Sequence, residues 1–264
     1  MELGIIGGGV MGEAILSRLL SQGVYTANAV AVSDRQVDRC LHLHSQYGVH
    51  TFQENGEIVG SKILLLAVKP QSVAQVFREL GDRPITAELV ISIMAGISLD
   101  QLAQFLPHKA IARVMPNTPA KVGAGVSAIA TNSLVTEKQK AEVRRIFSCV
   151  GAVVEVPEPL LDAVTGLSGS GPAYVALMIE ALADGGVRMG LTRDVAQELA
   201  VQTVLGTAQL IKETGVHPAQ LKDQTASAGG TTIAGLATLE KYAVRSALIE
   251  AVTSATQRSR ELRS

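Results

Sequence analysis

Near its start the chain carries Gly7-Gly8-Gly9-Val10-Met11-Gly12, directly after the apolar run Leu3 to Ile6 and directly before the helix-period segment Glu13 to Leu20. This is G-x-G-x-x-G between a strand and a helix, the context in which the motif binds a dinucleotide. The first glycine permits a tight turn, the second admits backbone donors to a pyrophosphate, and the third lets helix and strand pack closely. The helix N-terminus adds N–H groups and the positive end of its dipole. The next apolar run ends in Ser33-Asp34-Arg35. An acid at that strand end accepts from the ribose hydroxyls of NAD, whereas small polar and basic residues admit the 2′-phosphate of NADP. Ser33 stands in the acid's place and Arg35 can reach a phosphate, which points to NADPH, with NADH as the alternative. Asp34 is the residue that could undo this, or it could simply neutralise Arg35. Lys69-Pro70 and Ala95-Gly96 each close a further apolar run, at the strand ends where open parallel sheets bind ligands.

Other chemistries find less support. The sequence assembles no Ser-His-Asp set, no Cys-His pair and no metal cluster. His42-Leu43-His44, with His50 beyond it, lies on a polar helix and reads as solvated surface rather than a metal site. Glu180 and Asp184 are one helical turn apart and read as ion-pairing or interface residues more than as an acid–base pair. Asp162 reads as stabilising the start of its helix. Cys40 and Cys149 belong to no paired motif, which favours packing roles in a reducing compartment.

These residues need a scaffold. Apolar runs at Leu3 to Ile6, Ala29 to Val32, Ile63 to Val68, Leu89 to Met94 and Ala110 to Met115 alternate with amphipathic stretches, the pattern of a parallel sheet with crossover helices. Val126 to Ala130 and Ala152 to Val156 follow around a polar helix beginning near Thr136. Pro157 and Pro159 end the sheet. Beyond them only helix-period segments remain: Pro172 to Met189, Arg193 to Glu213, a short piece from Pro218, Thr232 to Lys241 and Val244 to Leu262. The expectation is α/β: a Rossmann-type parallel sheet domain over residues 1–158, then an all-α helical substrate and dimerisation domain over 159–264. Tyr174 to Ile179 is apolar nearly all round, so this helix must be surrounded, and a second subunit can do that.

The 264 residues are 47% hydrophobic, ample for a core, and the formal net charge of -1 offers no field for nucleic acid or a membrane surface. Aromatic residues at 3%, with no Trp, leave little to stack bases upon. The first apolar run meets glycine long before the length of a signal or membrane span, so a cytoplasmic protein is expected.

Asp162-Ala163-Val164-Thr165-Gly166-Leu167-Ser168-Gly169-Ser170-Gly171-Pro172-Ala173-Tyr174, then Leu221-Lys222-Asp223-Gln224 and Gly229-Gly230-Thr231-Thr232, together with Val114-Met115-Pro116-Asn117-Thr118-Pro119, resemble the characteristic segments of the pyrroline-5-carboxylate reductases. The likeness runs over practically the whole chain. It implies NADPH-dependent reduction of 1-pyrroline-5-carboxylate to L-proline, the last step of proline synthesis, in a homodimer that assembles into a larger ring such as a decamer. The resemblance assigns the cofactor to Ile6, Gly7, Gly8, Gly9, Val10, Met11, Ser33, Asn55, Ala67, Val68, Lys69, Pro70, Met94, Ala95 and Gly96. Substrate falls to Glu158, Ser227, Gly230, Thr231 and Thr232. Ala228 replaces the family's usual proline, and Thr225-Ala226 its frequent Val-Thr, which puts more weight on Gly230 to Thr232 than on Ser227.

The implied reaction needs only hydride on carbon and a proton on nitrogen, so the cofactor carries the hard chemistry. Backbone donors of residues 229–232 form a cradle for the substrate carboxylate, and the Thr232 hydroxyl lies near the ring nitrogen as the catalytic group. The competing reading makes Thr231 or Thr232 an ordinary N-cap. A reductase of the 3-hydroxyacid type would place a lysine early in its helical domain, and Pro172 to Met189 has none. A non-catalytic NADP sensor would need no carboxylate cradle.

Overall fold

In the computed structural model, residues 1–81 and 83–263 are described. The elements are β1 (Leu3–Ile6), α1 (Val10–Ser21), β2 (Val30–Ser33), α2 (Val37–Tyr47), β3 (His50–Phe52), β4 (Ile63–Leu66), α3 (Val73–Leu80), β5 (Leu89–Ser92), α4 (Leu99–Phe105), β6 (Ile111–Met115), β7 (Gly125–Thr131), α5 (Glu137–Ser148) and β8 (Gly151–Glu155). Helices follow: α6 (Leu161–Val164), α7 (Gly171–Arg188), α8 (Arg193–Thr214), α9 (Pro218–Thr225), α10 (Thr231–Lys241) and α11 (Val244–Arg263).

The strands form one sheet in the order β3-β2-β1-β4-β5-β6-β7-β8. All neighbours are parallel except β6 and β7, so β7 and β8 run against the rest. Strand order reverses beside β1, which pairs with β2 on one side and β4 on the other. Every residue of β1, β2, β4 and β5 is buried. Leu3, Ile5, Val30, Val32 and Leu65 pack one face with Ile15 and Leu19 of α1, Leu43 of α2 and Phe147 of α5. Ile6, Leu64, Leu66 and Val90 pack the other with Val76 and Leu80 of α3 and Leu102 of α4. Cover on both faces is why these strands read as unbroken apolar runs. Each such side chain removed from water contributes about 1.5–3 kcal/mol.

The chain divides into two compact units, Met1–Gly169 with Ser254–Ser264, and Ser170–Thr253. The expected division at 158/159 differs for a physical reason. Pro157 does follow the last strand, yet the segment after it packs back on the sheet, with Leu161 buried against Ala128 and Ala130. Asn117, two residues past β6, then donates to the Ser168 carbonyl at 3.1 Å. The last turns of α11 also belong to the first unit.

In the second unit the buried cluster on α7 and α8 consists of Ala183, Ala196 and Ala200. A Cβ placed on Gly186 would lie 3.1 Å from that of Ala196, so the two helices approach closely along a seam of small residues. Large apolar side chains lie outside this seam: Leu177, Leu199 and Leu205 are 65%, 54% and 56% exposed. Pro218 is the first residue of α9 as expected, while Pro172 is the second of α7.

Candidate functional site

The glycine motif folds as its spacing demands. Gly7 leaves β1 with φ 102°, a conformation that L side chains rarely adopt. A Cβ on Gly12 would stand 2.2 Å from the Gly7 carbonyl oxygen, so this third glycine is what lets α1 begin against the strand. At Gly9 the space a Cβ would fill is open. The helix starts at Val10, within the motif rather than after it, with Gly9 as its N-cap and no side chain capping it. Its first-turn N–H groups are thereby left to whatever enters the cleft.

That cleft, of about 320 Å³, is lined by Gly7, Gly9, Ser33, Arg35, Asn55, Ala67, Val68 and Lys69 among the expected cofactor residues. Ile6 ends β1 and Gly8 is the next turn of the motif, while Val10 and Met11 open α1. Met94, Ala95 and Gly96 follow β5, with Gly96 at φ 76° and the Met94 N–H on Ser92 Oγ at 3.3 Å. Asn55 follows β3, and the others lie at the carboxyl ends of β1, β2, β4 and β5, around the switch point of the sheet.

Polar groups in the cleft are arranged in detail. Ser33 Oγ donates to Asn55 Oδ1 at 2.8 Å, both residues being buried. Asn55 Nδ2 donates onward to Glu79 at 3.1 Å. Both carboxylate oxygens of Asp34 are engaged by backbone: Oδ2 accepts from Gly8 N–H and Oδ1 from Gln36 N–H, each at 3.0 Å. Asp34 is therefore a brace across the glycine loop. Arg39 Nε donates to the Gly8 carbonyl at 2.5 Å, and its guanidinium pairs with Glu13. Glu13 also accepts from Tyr47 at 3.0 Å and meets His42 at 3.1 Å. Burial works to raise the Glu13 pKa, but the hydrogen bonds from Arg39, His42 and Tyr47 outweigh it and hold the carboxyl below its ordinary value. Gln36, Arg39, Ser72, Gln75 and Glu79 line the cleft although the sequence reading does not name them as ligands.

Two of these histidines have protein partners: His42 meets Glu13 at 3.1 Å, and the His44 ring meets the Val49 carbonyl at 2.9 Å. Among the described residues no group of three His, Cys, Asp or Glu is disposed to hold a metal ion. Asp184 pairs with Arg193 at 2.6 Å. Asp162 lies in the first turn of α6 but is buried, where it accepts from Ser259 at 2.8 Å. Glu158 Oε1 accepts both the Leu99 N–H at 2.7 Å and Arg113, itself buried, at 3.0 Å.

In the second unit Ser227, Gly230, Thr231 and Thr232 come together at the start of α10. Gly229 has φ 67°, and Gly230 N–H donates to the Ser227 carbonyl at 3.1 Å. A Cβ on Gly230 would stand 2.3 Å from Ser227 Oγ, so any larger residue there would make the Ser227 hydroxyl turn away. Gly230 is the N-cap, and Thr231 and Thr232 are the first two helical residues. The N-cap reading of either threonine is thus excluded, and Thr232 is half-buried in the first turn of the helix, where the leading N–H groups lack intrahelical partners.

The family model described as pyrroline-5-carboxylate reductase dimerisation matches residues 158–262, and one described as NADP oxidoreductase, coenzyme F420-dependent, matches residues 2–96. A pyrroline-5-carboxylate reductase of Synechocystis is 57% identical, with 99% of this chain and 98% of the relative aligned. The structure of a pyrroline-5-carboxylate reductase from Coxiella burnetii superposes with TM-score 0.92 at 36% identity, covering 100% of this chain and 98% of the other. The crystal structure of a pyrroline carboxylate reductase of Plasmodium falciparum with NADP bound gives TM-score 0.90 at 31% identity, covering 100% and 98%.

Proposed function

The chain belongs to the pyrroline-5-carboxylate reductase family, and from that premise we propose that it reduces 1-pyrroline-5-carboxylate to L-proline, the last step of proline synthesis, using NADPH in preference to NADH. The observation that carries the reaction is the likeness to a reductase of that name along 99% of the chain at 57% identity, which spans both units and every segment assigned a role.

The cofactor preference rests on Asp34. Its carboxylate is tied down by backbone, Oδ2 by the Gly8 N–H of the glycine loop and Oδ1 by the Gln36 N–H of its own turn, which supports the reading in which Ser33 and Arg35, on the wall of the cleft, meet the 2′-phosphate. The first-turn N–H groups of α1, from Gly9 to Met11, take the pyrophosphate. From there the strand order carries the binding crevice across β4 and β5, and Ala67, Val68, Lys69, Pro70, Met94, Ala95 and Gly96 hold the nicotinamide half. Bound there, NADPH would supply hydride to the imine carbon. In the second unit the leading N–H groups of α10 bind the substrate carboxylate, and Thr232 keeps a hydroxyl proton shared with the ring nitrogen. Ser227 and Thr231 line the same turn. Glu158, whose Oε1 is shared by Leu99 and Arg113, acts on the site through those partners.

The exposed leucines of the helical unit and its match to a dimerisation family support a homodimer built on that unit. The resemblance alone supports a larger ring such as a decamer. Free Cys40 and Cys149 fit a reducing cytoplasm, and no described helix is long and apolar enough to cross a membrane.

Loss of NADPH absorbance on adding 1-pyrroline-5-carboxylate, with proline as product, tests the reading. No turnover with the purified chain would overturn it, and faster turnover with NADH would overturn the cofactor preference.

A further inference from the structure

Two polar arrangements lie near the turn that runs from Met94 to the start of α4. The first is Glu158, which caps the start of α4 through Leu99 N–H while pairing with Arg113. The second is Asp162, four residues on. Its carboxylate is 2% exposed and accepts from the Ser259 hydroxyl, on a residue 6% exposed, across 97 positions of sequence at 2.8 Å. A carboxylate placed in such surroundings is costly unless hydrogen-bonded, and a leucine would fill the space without that cost. The bond fixes the last turns of α11 within the first unit. Just beyond Ser259, the Leu262 carbonyl lies against Gly96: a Cβ on Gly96 would stand 3.6 Å from its oxygen. The turn between β5 and α4 is thereby gripped from both sides, by Glu158 at its helical end and by α11 at Gly96.

We propose that Ser259 is a positioning residue for hydride transfer: its buried hydrogen bond to Asp162 clamps α11 onto the Gly96 turn and so fixes the wall against which the nicotinamide ring rests. The inference rests on the cofactor placement proposed above. Hydride transfer is sensitive to misplacement of this kind, because a reacting pair held an ångström too far apart loses most of the gain from proximity. The adenosine and pyrophosphate contacts lie on β1, β2 and α1, so loosening this turn leaves cofactor affinity largely intact.

The test uses the full-length enzyme with Ser259→Ala and Ser259→Thr. For Ser259→Ala the expected result is a kcat about tenfold lower, with KM for either substrate changed by less than about twofold. Amide hydrogen exchange across residues 94–99 is expected to be faster. Ser259→Thr, which keeps the hydroxyl, restores both. Should Ser259→Ala fail to fold, Asp162→Asn retains an oxygen acceptor of weaker strength and is expected to shift exchange in the same direction by less. Unchanged exchange across 94–99 overturns the clamp. Faster exchange with unchanged kcat overturns its part in hydride transfer. A wild-type chain that turns over no substrate overturns the proposed reaction instead, and the exchange measurement still decides the clamp.

Discussion

The two units solve the problem of burial in opposite ways. The first encloses its large apolar side chains between two layers of helices, and several of its buried polar side chains are paired inside the same unit: Ser33 with Asn55, Arg113 with Glu158, Asp162 with Ser259. The second has an interior of alanines and turns its leucines outward. An alanine seam brings α7 and α8 close but removes little apolar surface from water, so it cannot by itself hold a bundle of this length. The same amino-acid economy that makes the first unit self-sufficient makes the second a half-structure, complete only when another surface covers it.

The largest effect should come from breaking that cover. Leu177→Lys leaves the alanine seam alone but places a charge on the exposed face of α7. Burial of one leucine is worth about 1.5–3 kcal/mol, and a two-fold interface loses it twice. The expected outcome is a smaller species by light scattering and a lower melting temperature, whereas an equivalent change at exposed Leu41 of the first unit should alter neither. An unchanged scattering mass for Leu177→Lys would show that this face is not the one covered.

Next in size is Thr232→Val, which keeps the branched shape and removes the hydroxyl. With Gly230 as the N-cap, no capping bond is lost, so the melting temperature should hold. Turnover should fall roughly tenfold to a hundredfold, corresponding to about 1 to 3 kcal/mol for a hydrogen bond that strengthens as charge changes on nitrogen. Turnover within a factor of about two of wild type would take Thr232 out of the mechanism.

The first unit was the more legible in sequence for the reason it is self-sufficient. Strands covered on both faces leave unbroken apolar runs, and β1, β4 and β5 start where those runs start. β3 was missed because it has three residues at the sheet edge, none fully buried, and so carries no apolar run. The reversed direction of β7 was hidden because a run's polarity is set by its connection; here the link through Pro116, Pro119 and Gly123, at φ 76°, is too short for a crossover helix. In the site, glycines and strand-end residues could be read because the motif dictates their roles. Arg39 and Glu13 could not, since their pairing joins α1 to α2 across 26 positions and no local spacing signals it. Nor could the engagement of Asp34, which depends on where Gly8 N–H points.

A smaller effect should follow at that corner. Arg35→Ala removes the cation proposed to meet the 2′-phosphate, at an exposed position where solvent screening limits the loss to about 1.4 kcal/mol, or tenfold. The ratio of kcat/KM for NADPH to that for NADH should narrow by about that factor, through NADPH alone. An equal loss with both cofactors would mean that Arg35 shapes the cleft rather than reading the phosphate.

The smallest effect tests whether the first unit's closure extends to the surface of its helices. Tyr25 is buried, donates to Glu142 Oε1 at 2.7 Å and lies beneath the Arg145 guanidinium, whose carbon is 5.1 Å from the ring centroid. Arg145 in turn donates to both oxygens of Glu142. Those bonds are the main cause that holds the Glu142 carboxyl below its ordinary value; burial opposes them and the Tyr25 hydroxyl assists. Burial and the neighbouring carboxylate push the Tyr25 phenol well up, so it remains a donor at any ordinary pH. Tyr25→Phe removes one hydrogen bond to a charged acceptor, and denaturant melts should show a loss of about 1 kcal/mol at neutral pH. The sign with pH follows from the depressed carboxyl. When a group's folded pKa lies below its unfolded one, its stabilisation is present above the unfolded value and fades as pH falls through the folded value. From about pH 4.5 downward, wild type should therefore lose stability faster than Glu142→Gln, which has no proton to take up there. Parallel curves for the two proteins would mean that the triad is a surface ornament and that the closure of the first unit stops at the sheet.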